Sequence, residues 1–377
     1  MRHQHLAAIV ISLLIVAILV HYIFFVDIPF DREPADVFVG IDVAYDDILA
    51  IKELIDEVKS YTNLFVIGCT GITYDEKKLN ETCQYLYDRE MFFIIYAAES
   101  SPRTQWIETA KNRWGDRFLG FYAFDEVGGH QLDQVAIMVN KADNFIDASN
   151  QFVDHMGWRL NRFFISKYPS SVNPTLFTSD YALYWFDYKA GYDVLLGQFG
   201  WNYSRQLNVA LCRGAAAVQN KSWGVMITWT YNDPPYIESG EELYKDLVLA
   251  YENGAEYILV FDSNEEYTEG ILKNEHLNAL RQFWDYIKNN PRDVDLQNDR
   301  VAYVLPTDYG YGFRGPEDKI WGLWEADAFS HELCVNLNSF LEQYGTRLDI
   351  IYDDGLETDN TRMYSKLVFW NGTVCDN

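Results

Sequence analysis

Basic residues and cysteines are scarce in this sequence of 377 residues. Lysine and arginine total 30 against 56 aspartates and glutamates, so the formal net charge is −26. A negative field of that size repels phosphate backbones, and we therefore expect no nucleic-acid partner. The five cysteines contain no CxxC pair, which argues against a structural zinc site, and their wide spacing predicts no particular disulfide.

Several motifs of other enzyme classes are also missing. The sequence has no P-loop and no glycine-rich dinucleotide fingerprint, and it lacks the GxSxG elbow of α/β-hydrolases. Histidines are few, and no HxH pair follows the first predicted strand, which argues against a metal-dependent amidohydrolase. We therefore predict neither a metal nor a cofactor. A nucleophilic Cys69 stays open as an alternative, although no histidine lies beside it in the sequence.

A long apolar run stands near the N-terminus. Residues 6–26 contain no charged side chain, and a helix rising about 1.5 Å per residue covers a hydrocarbon core of roughly 30 Å with such a segment. Arg2 precedes the run, and Asp27, Asp31 and Glu33 follow it. The positive-inside tendency then predicts a single-pass protein held in the lipid bilayer, with a cytoplasmic N-terminus and the bulk of the chain outside the cytoplasm. A cleaved signal peptide is the alternative.

Short apolar runs alternate eight times with longer amphipathic stretches. The predicted strands are residues 37–43, 64–70, 92–98, 118–124, 175–180, 194–201, 223–231 and 257–263. Such near-continuous hydrophobic runs are typical of parallel strands buried on both faces. Helical periodicity is clear at 46–60, 204–219 and 239–255, which begin at potential capping residues. Eight strand–helix units predict an α/β fold, a closed (β/α)8 TIM barrel over residues 31–291. An open doubly wound sheet is the alternative.

Two further features concern the helices and the C-terminus. The stretch 131–168 is longer than one barrel helix needs, so we predict two helices that separate near Gly157.

The pattern of residues 300–377 predicts a small α/β module, with strands at 300–306, 348–354 and 366–370 and a helix at 331–345. This module is too short to bury much surface alone, so we expect it to pack on the barrel. Residues 1–30 are then the N-terminal tip and anchor.

Carboxylates and aromatic residues stand at the C-terminal ends of the predicted strands or just after them, at the end of a (β/α)8 barrel where active sites lie. The carboxylates are Asp42, Glu99, Asp125, Glu126, Asp180, Asp233 and Asp262, and the aromatic residues are Trp201, Trp229 and Tyr231. Two carboxyl groups with different pKa values can cleave a glycosidic bond, and flat rings give sugars an apolar face for stacking. Each residue also has a structural interpretation, since aspartates at such positions often cap the following helix.

The segment YAFDEVGG at 122–129, at the end of the fourth strand, resembles the corresponding segment of barrel glycoside hydrolases, especially those of clan A. That clan carries its acid/base glutamate there, so the resemblance implies that Glu126 is the general acid/base. The clan's nucleophile is a glutamate ending the seventh strand, and this sequence has none at that point. Asp233 or Asp262 would then be the second catalytic carboxylate. The residues expected to hold the sugar are Asp42, Asp125, Trp201, Trp229 and Tyr231.

The order of the two parts carries a further resemblance. A barrel followed by a small α/β module is similar to some β-galactosidase-type hydrolases, whose second domain is similar to a glutamine-amidotransferase fold. With its anchor, the chain resembles archaeal membrane-anchored surface proteins of this barrel type. The leading hypothesis is a glycoside hydrolase acting on extracellular or cell-surface carbohydrate. The alternative, favoured by the missing glutamate of the seventh strand, is an inactive barrel that binds glycans as an adhesion or scaffold protein.

Overall fold

All eight predicted strands form and pair in chain order into a closed parallel barrel, as seen in a computed structural model. They are β1 (Phe38–Val43), β2 (Leu64–Ile67), β3 (Phe92–Ala97), β4 (Phe118–Ala123), β5 (Thr175–Asp180), β6 (Val194–Phe199), β7 (Ser222–Ile227) and β8 (Tyr257–Asp262). The barrel closes because β1 pairs with β8 in parallel as well as with β2. The predicted (β/α)8 architecture is therefore confirmed, and the open doubly wound sheet is excluded.

The structure describes residues 37–97, 104–166, 174–292, 299–356 and 359–376. The predicted anchor at residues 6–26 and Glu99 lie outside these ranges. Among the helices inside them, none is both long and apolar enough to cross a membrane. From Val37 onward, the barrel and the C-terminal strands belong to one compact unit.

Helices connect successive strands on the outside of the barrel. Their bounds are α1 (Ile48–Val58), α2 (Thr70–Thr73), α3 (Glu76–Tyr87), α4 (Thr104–Trp114), α5 (Val127–Asp133), α6 (Phe145–Leu160), α7 (Tyr184–Ala190), α8 (Arg205–Gln219), α9 (Gly240–Glu252) and α10 (Asn274–Asn289). The capping residues act as the sequence predicts: Asp47 accepts hydrogen bonds from two amides of α1, while Ser204 and Ser239 each accept one. These bonds satisfy amides that have no partner within the helix.

The prediction of a helix break near Gly157 is wrong. Gly157 lies inside α6, and the separation falls instead between Asp133 and Phe145. A Cβ atom at position 157 would come within 3.2 Å of the carbonyl oxygen of Ala190, at the end of α7. The glycine therefore serves close packing between two helices, which sequence periodicity alone does not distinguish from a helix end.

The barrel interior is filled by large apolar side chains from alternating strand positions. Its buried core includes Leu64, Val66, Ile94, Tyr122, Phe177, Val194, Leu196, Met226, Tyr257 and Leu259. These side chains fill the interior of the barrel, so the polar residues at the C-terminal ends of the strands lie directly above a packed apolar core.

The C-terminal residues form a second, four-stranded sheet. Its strands are β9 (Arg300–Leu305), β10 (Leu348–Tyr352), β11 (Tyr364–Phe369) and β12 (Val374–Asp376), with helix α11 at Ala328–Tyr344. Their order is β10-β9-β11-β12, and only β12, which the sequence did not predict, is antiparallel to its neighbour. The sheet packs on the barrel as expected, because a Cβ atom at Gly214 of α8 would collide with the backbone of Ile350.

Candidate active site

A cavity of about 640 Å³ opens at the C-terminal ends of the barrel strands. Its acidic lining residues are Asp42, Asp125, Glu126 and Asp133. The aromatic lining residues are Tyr96, Tyr122, Tyr181, Trp201, Tyr203, Trp229, Phe261 and Tyr267. The structure thus brings together five residues of the predicted site: Asp42, Asp125, Glu126, Trp201 and Trp229. A cavity of this size with a few convergent polar groups is suited to a small ligand or a segment of a larger one.

Glu126 is held in an unusual backbone conformation directly after β4. Its φ of 52° and the φ of 59° at Phe124 are left-handed values that side chains other than glycine rarely adopt. Such conformations cost on the order of 1–3 kcal/mol each and persist where surrounding contacts over-determine them, often at functional sites. Here they turn the Glu126 side chain into the cavity instead of leaving it on the barrel wall.

Two side chains orient the Glu126 carboxylate. Gln198 at the end of β6 donates from Nε2 to Oε1 over 2.5 Å, and His130 Nε2 lies 3.1 Å from Oε2. His130 follows Glu126 by one helical turn of α5, which places both on the same helix face. The hydrogen bond to the carboxylate raises the pKa of His130, although burial opposes this effect. A carboxylate fixed at both oxygens is suited to exchange a proton at a defined position.

Asp180 maintains the turn from the neighbouring strand. Its carboxylate accepts hydrogen bonds from the amides of Gly128 and Gly129 at 2.6 and 2.8 Å, and from those of Tyr181 and Ala182. The first two amides belong to the first turn of α5, where a negative charge is favoured by the helix dipole. Asp180 therefore braces the backbone that presents Glu126, and it does not line the cavity.

Asp125 stands beside Glu126 and is accessible from the cavity although protein surrounds its other sides. Its Oδ1 accepts hydrogen bonds from Tyr122 and, over 3.0 Å, from Ser179. Burial within the barrel mouth and then the charge of Glu126 raise the pKa of Asp125, against the effect of these two donors. Asp125 therefore holds its proton to higher pH than an isolated aspartate does.

Asp42 approaches the cavity from β1. It is only 4% exposed, and its Oδ1 atom is buried without a hydrogen-bond partner among the described residues. Burial is the main cause that raises its pKa well above the ordinary value, and the charges of Asp125 and Asp262 add to it. An unsatisfied buried polar group in a native fold calls for an explanation, and Asp42 also lines the cavity, so this group lies where function can require it.

Asp262 occupies a different place from the one predicted for a second catalytic carboxylate. It is 2% exposed and does not line the cavity. Its Oδ1 accepts hydrogen bonds from the amides of Ile271 and Leu272 at 2.6 and 3.0 Å, and Tyr45 reaches Oδ2 at 3.4 Å. These contacts describe an aspartate that closes the loop after β8.

Asp233 and Tyr231 line a neighbouring depression of about 540 Å³. Trp201 borders both this depression and the main cavity, so the two are adjacent. Tyr231 is 50% exposed, which is unusual for a large aromatic side chain. Because Asp233 faces the depression, the structure does not bring it into the cavity that holds Glu126.

Aromatic rings form one side of the main cavity. The indole of Trp229 donates to the carbonyl of Ser263 over 2.9 Å, and its ring lies 5.9 Å from Phe261 and 6.4 Å from Tyr267. Tyr267 is more than half exposed, so part of this side faces solvent. Fixed rings with open faces are suited to stack on sugar rings.

Sequence reasoning missed several residues of the site. His130 could have been found from its spacing of four residues after Glu126, since an i,i+4 pair shares one helix face. Nothing in the sequence distinguishes Tyr181, Tyr203 or Tyr267 from the rest of its 27 tyrosines. Cys69 does line the cavity, but burial raises the pKa of its thiol, which disfavours the nucleophilic thiolate. Within the described residues, no group of three or more ligands could hold a metal ion.

No protein-family model matches the chain. No curated protein sequence matches it either.

Solved structures with a similar fold include several described as glycoside hydrolases. An agarase is 9% identical at a TM-score of 0.42, over 64% of this chain and 49% of the agarase, so the match spans about half of that protein. A glycoside hydrolase family 5 enzyme from Prevotella bryantii is 8% identical at a TM-score of 0.42, over 66% of this chain and 96% of its own. An endocellulase from Pyrococcus horikoshii is 10% identical at a TM-score of 0.40, over 65% and 92%. At these values, the likenesses bear on neither family nor activity.

Proposed function

We propose that this protein is a glycoside hydrolase acting on extracellular or cell-surface carbohydrate, with Glu126 as the general acid/base. One observation carries the proposal: a strained turn directs Glu126 into an aromatic-lined cavity whose lining also contains three further carboxyl groups, Asp42, Asp125 and Asp133. Glycosidic bond cleavage requires a proton donor and a second carboxylate, and the rings supply an apolar surface for sugars.

The second carboxylate proposed here is Asp42. Among the carboxylates of the cavity, Asp133 is bound by Tyr181 and Arg314, and Asp125 by Tyr122 and Ser179. Asp42 has a buried oxygen without a partner among the described residues, and β1 lies three strands away from β4 around the barrel. Asp42 would therefore contact a ligand from a different side of the cavity than Glu126 does. Asp125, whose pKa is raised, would keep its proton beside Glu126.

Turnover of polysaccharides and aryl glycosides by residues 31–377 tests this proposal, with the Glu126→Gln variant measured in parallel. Loss of the proton-exchanging group is expected to lower kcat by at least about 100-fold. Glu53→Gln makes the same chemical change on the exposed surface of α1 and is expected to leave turnover unchanged. Asp262→Asn, which should affect stability more than chemistry, separates the two candidates for the second carboxylate when compared with Asp42→Asn.

The alternative, an inactive barrel that binds glycans, makes a different prediction for the same panel. Glycan binding by calorimetry, without turnover by the wild-type protein and unaffected by Glu126→Gln, would establish it. The engagement of Asp262 with backbone amides is the observation that favours this alternative, because it removes one predicted catalytic carboxylate from the cavity.

We also propose that residues 6–26 anchor the protein in a membrane, with the barrel outside the cytoplasm. The support is the uncharged run and the distribution of charges around it. Fractionation of the full chain after alkaline extraction tests this, with protease added to intact cells to report the side. Recovery in the soluble fraction would contradict the anchor.

A further inference from the structure

A long loop of the C-terminal module reaches the barrel beside the candidate site. Residues 306–327, called here the crossover loop, connect β9 to α11. Trp321 anchors the loop: its side chain is fully buried, with ring centroids 5.6 Å from Phe152 and 4.6 Å from Phe186. Connections of this length are uncommon in compact domains and are often functional.

Polar contacts attach the same loop to α5, the helix that begins directly after Glu126. Gln131 is completely buried, and its Nε2 donates to the carbonyl of Trp321 over 2.9 Å. The same side chain bonds the backbone of Met138 and Val139, so its hydrogen-bonding capacity is used fully. The crossover loop and α5 are therefore held together by a satisfied buried amide.

Arg314, on the crossover loop, reaches the rim of the cavity. Its Nη1 lies 2.7 Å from Oδ1 of Asp133, while Nη2 and Nε bond Asp318 at 2.6 and 3.1 Å. The Arg314 side chain is 16% exposed, so it lies mostly within protein. Arginine presents several donors in a rigid planar fork, and a pair of carboxylates on two sides of that fork fixes its orientation.

Asp133 in turn positions two aromatic residues of the cavity, Tyr181 and Tyr203. Its Oδ2 accepts a hydrogen bond from Tyr181 over 2.6 Å, and the Tyr181 ring stacks on Tyr203 with centroids 5.9 Å apart and planes 13° from parallel. Asp133, Tyr181 and Tyr203 all line the cavity. Gly129 of α5 also lies against Tyr181, because a Cβ atom at this position would collide with the ring.

We propose that Arg314 is a positioning residue for a sugar-binding subsite built jointly by the barrel and the C-terminal module. Arg314 fixes Asp133, Asp133 fixes Tyr181, and Tyr203 stacks on Tyr181 to give an apolar face next to a carboxylate that accepts hydrogen bonds from sugar hydroxyls. This proposal rests on the proposed function. It names the ligand of the subsite as a pyranose unit of a carbohydrate chain extending from the bond that Glu126 protonates.

Steady-state kinetics of Arg314→Met test the proposal on the best substrate of the panel. Without Arg314, Asp133 and Tyr181 are no longer held in place, which is expected to raise KM roughly tenfold. The value of kcat is expected to stay within about threefold of the wild type, because Glu126 keeps its own partners Gln198 and His130. Arg314→Lys cannot form the fork and should recover little of the loss. Guanidinium ion at millimolar concentration should partly restore the affinity of Arg314→Met.

Arg347→Met is the matched control, since Arg347 lies in the same module and pairs with Asp299 at an exposed site outside the cavity. It is expected to leave KM unchanged. An Arg314→Met variant with the KM of the wild type, or one in which only kcat falls, overturns the subsite.

Hydrogen exchange distinguishes failure of the subsite from failure of the proposed function. Amides of α5 and of residues 200–204 should exchange faster in Arg314→Met than in Arg347→Met, whether or not any glycan is cleaved. Equal exchange in the two variants overturns the positioning role. Wild-type protein without glycosidase activity overturns the proposed function instead, and activity that survives Glu126→Gln does the same.

Discussion

At the scale of single residues, the cavity contains two carboxyl groups, Asp42 and Asp125, whose pKa values are raised by their surroundings. Asp42 is the extreme case, because it is buried, lacks a partner for Oδ1 and faces the charge of Asp125. Natural proteins tolerate such unfavourable groups mainly where function requires them. Replacement of Asp42 should therefore raise the stability of the protein and lower its activity at the same time.

Asp42→Asn is expected to make the protein more stable at about pH 8 and less active at every pH. The folded pKa of Asp42 is raised, so the folded state holds this proton more tightly than the unfolded chain does. Its favourable contribution is complete below the unfolded pKa and is lost as pH rises through the folded pKa. Asparagine does not titrate, so the stability difference from wild type should shrink towards about pH 4. Thermal unfolding at both pH values measures it.

Asp56→Asn provides a control of opposite sign. Arg89 is the main cause that lowers the pKa of Asp56, so the wild-type charge stabilises the fold above the unfolded pKa and less below it. Asp56→Asn should therefore be less stable than the wild type at neutral pH, and this difference in stability should shrink as the pH falls. Stability curves for Asp42→Asn that run parallel to wild type over the whole range would contradict the raised pKa.

At the scale of elements, the turn between β4 and α5 is the part of the fold most specialised for the site. Asp180 of β5 holds the first amides of α5, and Gly128 and Gly129 allow the backbone to approach the residues after β5. The segment 122–129 was identified from the sequence as the candidate site. Its left-handed residues and the brace from β5 were not, because both depend on the neighbouring strand.

Gly129→Ala should disturb this element specifically. The added methyl group would collide with the ring of Tyr181, which must then move away from α5 and disturb its stacking on Tyr203. Overpacking of this kind typically costs about 1–3 kcal/mol, and we expect a loss of that size in the free energy of unfolding. Urea denaturation measures it, and substrate affinity should fall in parallel.

Gly315→Ala is the matched control, because no atom lies within 4 Å of the Cβ position there. It should leave stability nearly unchanged. If Gly129→Ala were equally neutral, Tyr181 would not be packed against α5 as described.

At the scale of the whole molecule, a buried ion pair joins the barrel to the second sheet. Arg213 of α8 is 3% exposed and lies 2.7 Å from Asp349 of β10, which is fully buried. The same guanidinium group donates to the carbonyls of Thr346 and Leu348 and to Asn253. One side chain thus satisfies groups from both parts, so we expect them to unfold together.

Arg213→Met tests this cooperation. Removal of the arginine leaves Asp349 buried with weaker compensation, and loss of one member of a buried pair costs about 3–5 kcal/mol. We expect a loss of that order in the free energy of unfolding, seen as a single transition at lower denaturant concentration. Arg347→Met, which breaks the exposed pair with Asp299, should cost no more than about 1 kcal/mol. Two separate transitions, with that of the barrel unmoved, would contradict a cooperative unit.

The sequence by itself determined the barrel and most of its element boundaries. Apolar runs of strand length and helices with Asp47, Ser204 and Ser239 as caps are local patterns, and each is formed by neighbours along the chain. The order of these units then leaves few topologies, because consecutive strands mostly lie side by side and parallel strands are joined by right-handed crossovers. Glu126 could also be identified from the sequence, because its position just after an apolar strand is a local pattern.

Only the tertiary structure decided which side chains share the cavity. Asp42, Asp262 and Asp233 all stand at or beyond the C-terminal ends of their strands, yet backbone amides bind Asp262 and a separate depression holds Asp233. Arg314 lies 181 residues from Asp133, its partner at the rim. No local pattern encodes such pairings: they arise when closure of the barrel and docking of the second sheet bring distant loops within hydrogen-bond distance. Local interactions select the elements, whereas the site is selected by the loops that the closed barrel places at one end.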